Sequence, residues 1–104
     1  MTPPLGEFEL VVLLAVLQLG DDAYGVPVRE EIVRRTGREV ARGAVYVTLD
    51  RLARKGYLRS QLADPTPERG GRPKRYFELT ARGNKVLRES LAALERMRDG
   101  LSFA

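Results

Sequence analysis

The stretch RGAVYVTLDRLARKGYL, residues 42–58, decides the fold. Val45, Leu49 and Leu52 recur at the spacing that places side chains on one stripe of an α-helix. The sequence therefore predicts an amphipathic helix over residues 42–55 that ends at Gly56 and leads into a strand. The outer face of this helix is either solvated or in contact with a negatively charged partner, and it carries Arg42, Tyr46, Val47, Asp50, Arg51, Arg54 and Lys55.

Two strand-like segments follow, and they flank a stretch that cannot form regular structure. YLRSQLA (57–63) and KRYFELT (74–80) alternate in part between apolar and polar residues. Between them, DPTPERGGRP (64–73) holds three prolines and two glycines, which break helices and strands alike. We therefore expect a two-stranded hairpin with a long basic tip, whose cations are Arg69, Arg72, Lys74 and Arg75.

Two helices are expected before residue 42. The first runs from about residue 5 or 6 to Leu19, and between Leu10 and Leu19 only Gln18 is polar. This run is about half the length of a membrane span, so it is interpreted as a buried helix that needs cover on several sides. The second begins near Val26 and ends at Thr36 and Gly37.

A last helix is predicted over residues 81–101, with Thr80 as its N-terminal cap. Its apolar stripe extends past the point where a small domain could cover it, and the first helix is apolar on nearly all sides. Both observations predict a homodimer. The predicted dimer-interface residues are Phe8, Leu10, Leu14, Leu87, Leu91, Leu94, Met97 and Leu101.

The order helix, helix, helix, strand, basic loop, strand, helix is that of a winged helix-turn-helix. We therefore predict a mainly α fold with a small β-hairpin, the wing, and a C-terminal dimerisation helix. With 104 residues the chain has room for one hydrophobic core. We expect a single domain over residues 1–104, with the winged helix-turn-helix at about 5–80 and the dimerisation helix at about 80–101.

Charge and composition narrow the function. The net charge is +4, but residues 1–23 hold four acidic and no basic side chains, so the remainder carries +8 and favours an anionic partner. Cysteine and histidine are both absent, which removes thiolate nucleophiles, soft metal ligands and the commonest general base. We therefore expect neither an enzyme nor a metal protein, and no signal peptide or membrane segment. The missing cysteines fit the cytoplasm.

In a helix-turn-helix, the second helix of the pair lies in the major groove and the wing contacts phosphates. The alternatives are a solvated helix face, a loop kept soluble by its arginines, and a protein-interaction module without DNA binding. The predicted partner is double-stranded DNA, and the predicted DNA-binding residues are Arg42, Gly43, Tyr46, Val47, Arg51, Arg69, Arg72, Lys74 and Arg75.

Three segments resemble the PadR-like family of winged-helix transcriptional regulators: AYG (23–25), GAVYVTLDRLARKGYL (43–58) and GRPKRYFELTARG (71–83). The single C-terminal helix is similar to that of the smaller subfamily. The resemblance implies a homodimeric DNA-binding regulator, most often a repressor, whose first and last helices form the dimer interface. Ala41 and Ala44 stand where the family usually has hydroxyl residues, and Val47 replaces its usual proline.

The resemblance also bears on ligands. Some family members bind aromatic or drug-like molecules at the dimer interface, so an effector of unknown identity is possible there. This chain has no tryptophan to stack on such a ligand. Its candidate lining residues are equally explained as interface core, which we favour, and no cofactor is expected.

Overall fold

The structure is a computed structural model that describes residues 5–63 and 73–103. The described residues are mainly helical with one antiparallel hairpin, so the predicted fold class is confirmed. In chain order the elements are α1 (Glu7–Leu19), a 3-10 turn (Gly20–Asp22), α2 (Gly25–Thr36), α3 (Arg42–Arg54), β1 (Leu58–Leu62), β2 (Arg75–Leu79) and α4 (Ala81–Arg98).

One hydrophobic core joins α1, α2, α3 and the start of α4. The predicted stripe of α3 is completely buried at Val45, Leu49 and Leu52. Val12 and Leu13 of α1 are equally buried and belong to the same core. Burial of each such side chain contributes about 1.5 to 3 kcal/mol, so these contacts fix α3 against the body of the domain.

The helix ends follow the local sequence. The N–H of Gly6 donates to Glu9 Oε1 at 2.9 Å and starts α1, while Gly37, at φ 72°, ends α2 in the left-handed conformation that favours glycine. Thr80 Oγ1 accepts the N–H of Gly83 at 3.0 Å, which confirms the predicted cap of α4. At the start of α3, Ala41 offers no side-chain cap.

The hairpin pairs Leu58 with Leu79 at its base, next to the end of α3 and the start of α4, and Leu62 with Arg75 at its far end. Each strand is one residue shorter at both ends than predicted, and the turn that follows α1 contains the 3-10 helix Gly20–Asp22. Leu62 is 64% exposed because it lies at the end of the hairpin farthest from the core. The predicted contacts at Arg69 and Arg72 lie outside the described residues.

The molecule is elongated because the second half of α4 extends away from the core. Its radius of gyration is 15.3 Å, against about 13 Å for a compact domain of this length. From residue 92 to residue 103 every side chain is exposed. Across residues 5–63 and 73–103, we find no helix with the length and apolar character that a bilayer span requires.

Candidate nucleic-acid interface

The outer face of α3 is an open surface with mixed chemistry. Tyr46 and Val47 are 47% and 53% exposed, although both are large and one is purely apolar. Arg42, at the first position of the helix, and Gly43 next to it are also exposed. This face therefore presents apolar and cationic side chains on one helix whose opposite stripe is buried.

The arginines of α3 differ in their partners from the two arginines in the last turn of α2. Arg34 and Arg35 on α2 both bind the carboxylate of Glu31, at 2.5 and 2.6 Å. By contrast, the three arginines of α3 pair with no carboxylate in the described parts of the chain: Arg42, Arg51 and Arg54. Because unpaired cations are free to meet an anion, the positive charge of α3 is available to a partner.

Tyr46 lies against the start of α2. A Cβ atom on Gly25 would come within 2.2 Å of its ring, so only glycine permits this approach. The contact sets the position of the Tyr46 ring on the outer face, next to the first turn of α2. In the sequence Gly25 stood out only as part of AYG, and its close contact with the Tyr46 ring was not predicted.

Strand β2 of the hairpin is attached to the segment before α2. The N–H of Phe77 donates to the carbonyl of Ala23 at 2.8 Å. The ring of Tyr24 packs edge-on against that of Tyr76, with 5.3 Å between the centroids. Lys74 Nζ lies 4.4 Å from the centroid of the Tyr24 ring, a cation–π contact, and 3.3 Å from its hydroxyl oxygen. These contacts hold the predicted wing residue Lys74 beside Tyr24, the residue directly before α2.

An ion pair joins the hairpin directly to the outer face of α3. Arg75 Nη1 donates to Asp50 Oδ1 at 2.7 Å. Clefts of about 520 and 600 Å³ lie on the two sides of this bridge, and both are lined by Asp50 and Arg75. The first cleft also contains Tyr24, Tyr46 and Lys74. Sequence reasoning predicted Arg75 as a DNA contact and did not anticipate its pairing with Asp50.

The family assignment rests on most of the chain. The model of the family described as "Transcriptional regulator PadR-like family" matches residues 13–89. The chain belongs to this family. The prediction of the family is thus confirmed, and so is the prediction that this PadR-like protein is not an enzyme. No curated protein matches it in sequence.

Solved structures share the fold of this PadR-like protein. A PadR family transcriptional regulator from Eggerthella lenta is 28% identical, with a TM-score of 0.70 over 90% of this chain and 81% of that one. A transcriptional regulator from Clostridium thermocellum is 21% identical, with a TM-score of 0.72 over 86% and 82%. F93 from STIV, a winged-helix DNA-binding protein, is 20% identical, with a TM-score of 0.69 over 89% and 92%.

The C-terminal end of α3 is tied to both α1 and α4. Lys55 Nζ donates to Glu9 Oε2 at 2.8 Å, and the hydroxyl of Thr80 donates to the carbonyl of Gly56 at 2.6 Å. Burial raises the pKa of the Glu9 carboxyl, but the hydrogen bonds from Lys55 and from the N–H of Gly6 together with the charges of Lys55 and Arg51 outweigh it, so the pKa is lowered.

Two arginines hold the segment before α3, one from α2 and one from within the segment itself. Arg29 Nε donates to the carbonyl of Val40 at 2.6 Å. Arg38 forms two hydrogen bonds to the carboxylate of Glu7, which lower the pKa of Glu7. The turn between α2 and α3 is therefore connected to both preceding helices.

The predicted dimer-interface residues fall into three groups. Leu10 and Leu87 are buried within the core of this protomer, and Phe8 and Leu91 are partly buried against it. The remaining four are exposed: Leu14, Leu94, Met97 and Leu101. Leu17 and Phe103 add to the exposed apolar surface and were not predicted. Among the described residues, we find no group of acidic side chains arranged to hold a metal ion.

Proposed function

We propose that this protein is a homodimeric transcriptional repressor that binds an inverted repeat in double-stranded DNA. The observation that carries the proposal is the outer face of α3, which exposes Tyr46 and Val47 on a helix whose three arginines pair with no carboxylate among the described residues, beside an attached basic hairpin. An α-helix fits the major groove, and such a face supplies both base-edge and phosphate contacts.

Each predicted residue has a role in this proposal. Arg42 contacts a base or phosphate at the entry of α3 into the groove, and Gly43 allows the backbone to approach closely. Tyr46 packs in the groove, and Val47 contacts a thymine methyl group. Arg51 lies toward α1, where its charge acts on Glu9, so it is assigned to flanking phosphate.

The hairpin supplies charge beside the groove. Lys74 places positive charge on the wing, where it is held by Tyr24, and Arg75 lies next to it in its ion pair with Asp50. Arg69 and Arg72 add two cations from the sequence of the tip. Phosphate contacts of this kind give affinity and salt dependence rather than sequence preference.

Dimerisation is supported by the apolar surface of α1 and α4. Met97 and Phe103 are 79% and 76% exposed, and Leu94 and Leu101 lie on the same projecting part of the chain. A monomer in water rarely leaves such a run of large apolar side chains uncovered. We propose that a second copy covers it, that these residues form the interface core rather than an effector pocket, and that two-fold symmetry is matched by two DNA half-sites.

Repression requires no contact beyond occupation of the DNA, which a small binding protein achieves by competing with the transcription machinery. Its place of action is then the cytoplasm of a cell whose DNA lies there. A reporter gene whose promoter overlaps the operator should lose expression when the protein is produced, whereas a rise in expression would indicate an activator.

The proposal is tested by selection from a pool of random duplexes, followed by fluorescence anisotropy on the selected duplex and a scrambled one across a salt series. We expect an inverted repeat with half-site centres about 10 base pairs, or a multiple of that, apart. Arg42→Ala should weaken binding by about tenfold or more, while Arg88→Ala, an exposed arginine on α4, should change it little.

Enrichment of no sequence, together with binding that disappears with salt on every duplex, would contradict the proposal. A winged-helix module that binds an acidic protein is the second candidate, because the same unpaired arginines suit an acidic surface. In that case DNA would not compete with the protein partner.

A further inference from the structure

Asp50 is the only acidic residue of α3, and it lies in the middle of the outer face. At about 100° per residue, it falls between Tyr46 and Val47 around the helix axis. The proposed function brings DNA phosphates to this surface. A free carboxylate there would repel them, because juxtaposed like charges in an interface are unfavourable. Asp50 therefore needs a positively charged partner when DNA binds.

The partner of Asp50 is Arg75, whose guanidinium is held in place on two sides. It donates to Asp50 at 2.7 Å and lies 5.2 Å from the centroid of the Phe77 ring. Phe77 is buried, and its N–H is bound to Ala23. Arg75 is thus anchored to the body of the domain and bridges from the hairpin to the recognition helix.

In the free protein this bridge is weak. The side chains of Asp50 and Arg75 are 51% and 46% exposed, and exposed ion pairs contribute little in water. Their attraction grows when a partner covers them and displaces water, because the effective dielectric constant falls. The bridge therefore has its largest effect in a complex.

Resting on the proposed function, we propose that Asp50 and Arg75 form a positioning pair that fixes the hairpin against α3 and neutralises Asp50 when DNA binds. Arg75 then acts through Asp50 and is not itself a phosphate ligand. The pair makes the affinity for DNA depend on the relative placement of helix and hairpin.

A second ion pair on the same hairpin provides a matched control. Arg59 Nε donates to Glu78 Oε1 at 2.8 Å, and both side chains are also exposed. Because alternate residues of a strand point to opposite faces, Arg59 and Glu78 lie on the face of the hairpin away from Arg75. Loss of this pair should not alter contacts with α3.

The test is a double-mutant cycle on DNA affinity, with Asp50→Asn, Arg75→Ala and both together, measured by anisotropy on the selected duplex. Asp50→Asn keeps the shape of the side chain and removes its charge. We expect Arg75→Ala to weaken binding about tenfold or more and the double variant to recover to within about threefold of Asp50→Asn. Arg75→Lys should retain most of the affinity.

The control cycle uses Arg59→Ala and Glu78→Gln, for which we expect changes below about twofold and no coupling. Thermal unfolding of every variant should stay close to that of the wild type, since all four side chains are exposed. An equal loss from Arg75→Ala in both Asp50 backgrounds would overturn the positioning pair and make Arg75 a phosphate ligand. Failure of the wild type to bind any duplex would instead overturn the proposed function, and the positioning pair with it.

Discussion

The two ends of α3 are built differently. At the N-terminal end, Ala41 provides no side-chain cap, and residues 41–44 are all exposed. At the C-terminal end, Lys55 is bound to Glu9 of α1 and the carbonyl of Gly56 accepts the hydroxyl of Thr80. Side-chain contacts to α1 and α4 therefore fix the C-terminal end of α3, while the first turn of this helix, which we propose enters the DNA groove, is exposed.

The start of α4 also packs closely against the segment that follows α3. Besides the bond to Gly56, the N–H of Thr80 donates to the carbonyl of Tyr57 at 3.0 Å, and Gly83 packs directly on that same carbonyl. Gly56 takes φ 82°, a left-handed turn that lets the chain leave α3 and enter β1. The start of α4 and the end of α3 thus form one rigid joint.

Breaking that joint should have the largest effect. In Gly83→Ala the new Cβ would lie 2.0 Å from the Tyr57 carbonyl oxygen, so α4 must shift away. We expect a loss of about 2 to 3 kcal/mol in the free energy of unfolding, measured by urea denaturation. The control is Gly43→Ala, also in the first turn of a helix, where the new Cβ meets no atom within 4 Å.

At the open end, the control substitution should be neutral or stabilising by up to about 1 kcal/mol, because alanine favours helix over glycine. If Gly83→Ala and Gly43→Ala changed the free energy of unfolding equally, the start of α3 would be as tightly constrained as the start of α4, and the difference between the two ends of α3 would be contradicted.

A smaller effect is expected from the link to α1. Glu9→Ala removes acceptors for both Lys55 and the N–H of Gly6, and should cost about 1 to 2 kcal/mol, discounted because Lys55 is partly exposed. The matched control is Glu7→Ala, which breaks the exposed pair with Arg38 and should cause no resolvable change. A larger loss of stability from Glu7→Ala than from Glu9→Ala would contradict the claim that Glu9 of α1 holds the C-terminal end of α3.

The same link predicts a small pH dependence. Because the pKa of Glu9 is lowered on folding, the folded state favours its carboxylate. This contribution to stability is complete above the ordinary value of 4.5 and is lost as the pH falls through the lowered pKa. Urea midpoints measured from pH 6 to about pH 3 should therefore fall less steeply in Glu9→Gln than in the wild type. Parallel curves would remove Glu9 from the acid response.

Sequence periodicity was sufficient for α3 but not for α1. The polar residues of α3 mark its outer face, so the buried stripe of Val45, Leu49 and Leu52 could be predicted. The apolar residues of α1 carry no such phase, and for that reason Leu10, in the core, could not be distinguished from exposed Leu14. The ion pairs of Asp50 and Glu9 were missed because their partners are distant in the chain and meet only in the folded protein.

Amide chemical-shift mapping of the 15N-labelled protein, titrated with the selected duplex, tests most directly whether the open end of α3 enters the DNA groove. If the open end of α3 enters the DNA groove, the largest shifts are expected at residues 42–47 and near Lys74, with small shifts at residues 55–57 and along residues 88–103. Shifts confined to α4, or equal at the two ends of α3, would contradict the claim that the open end of α3 enters the DNA groove.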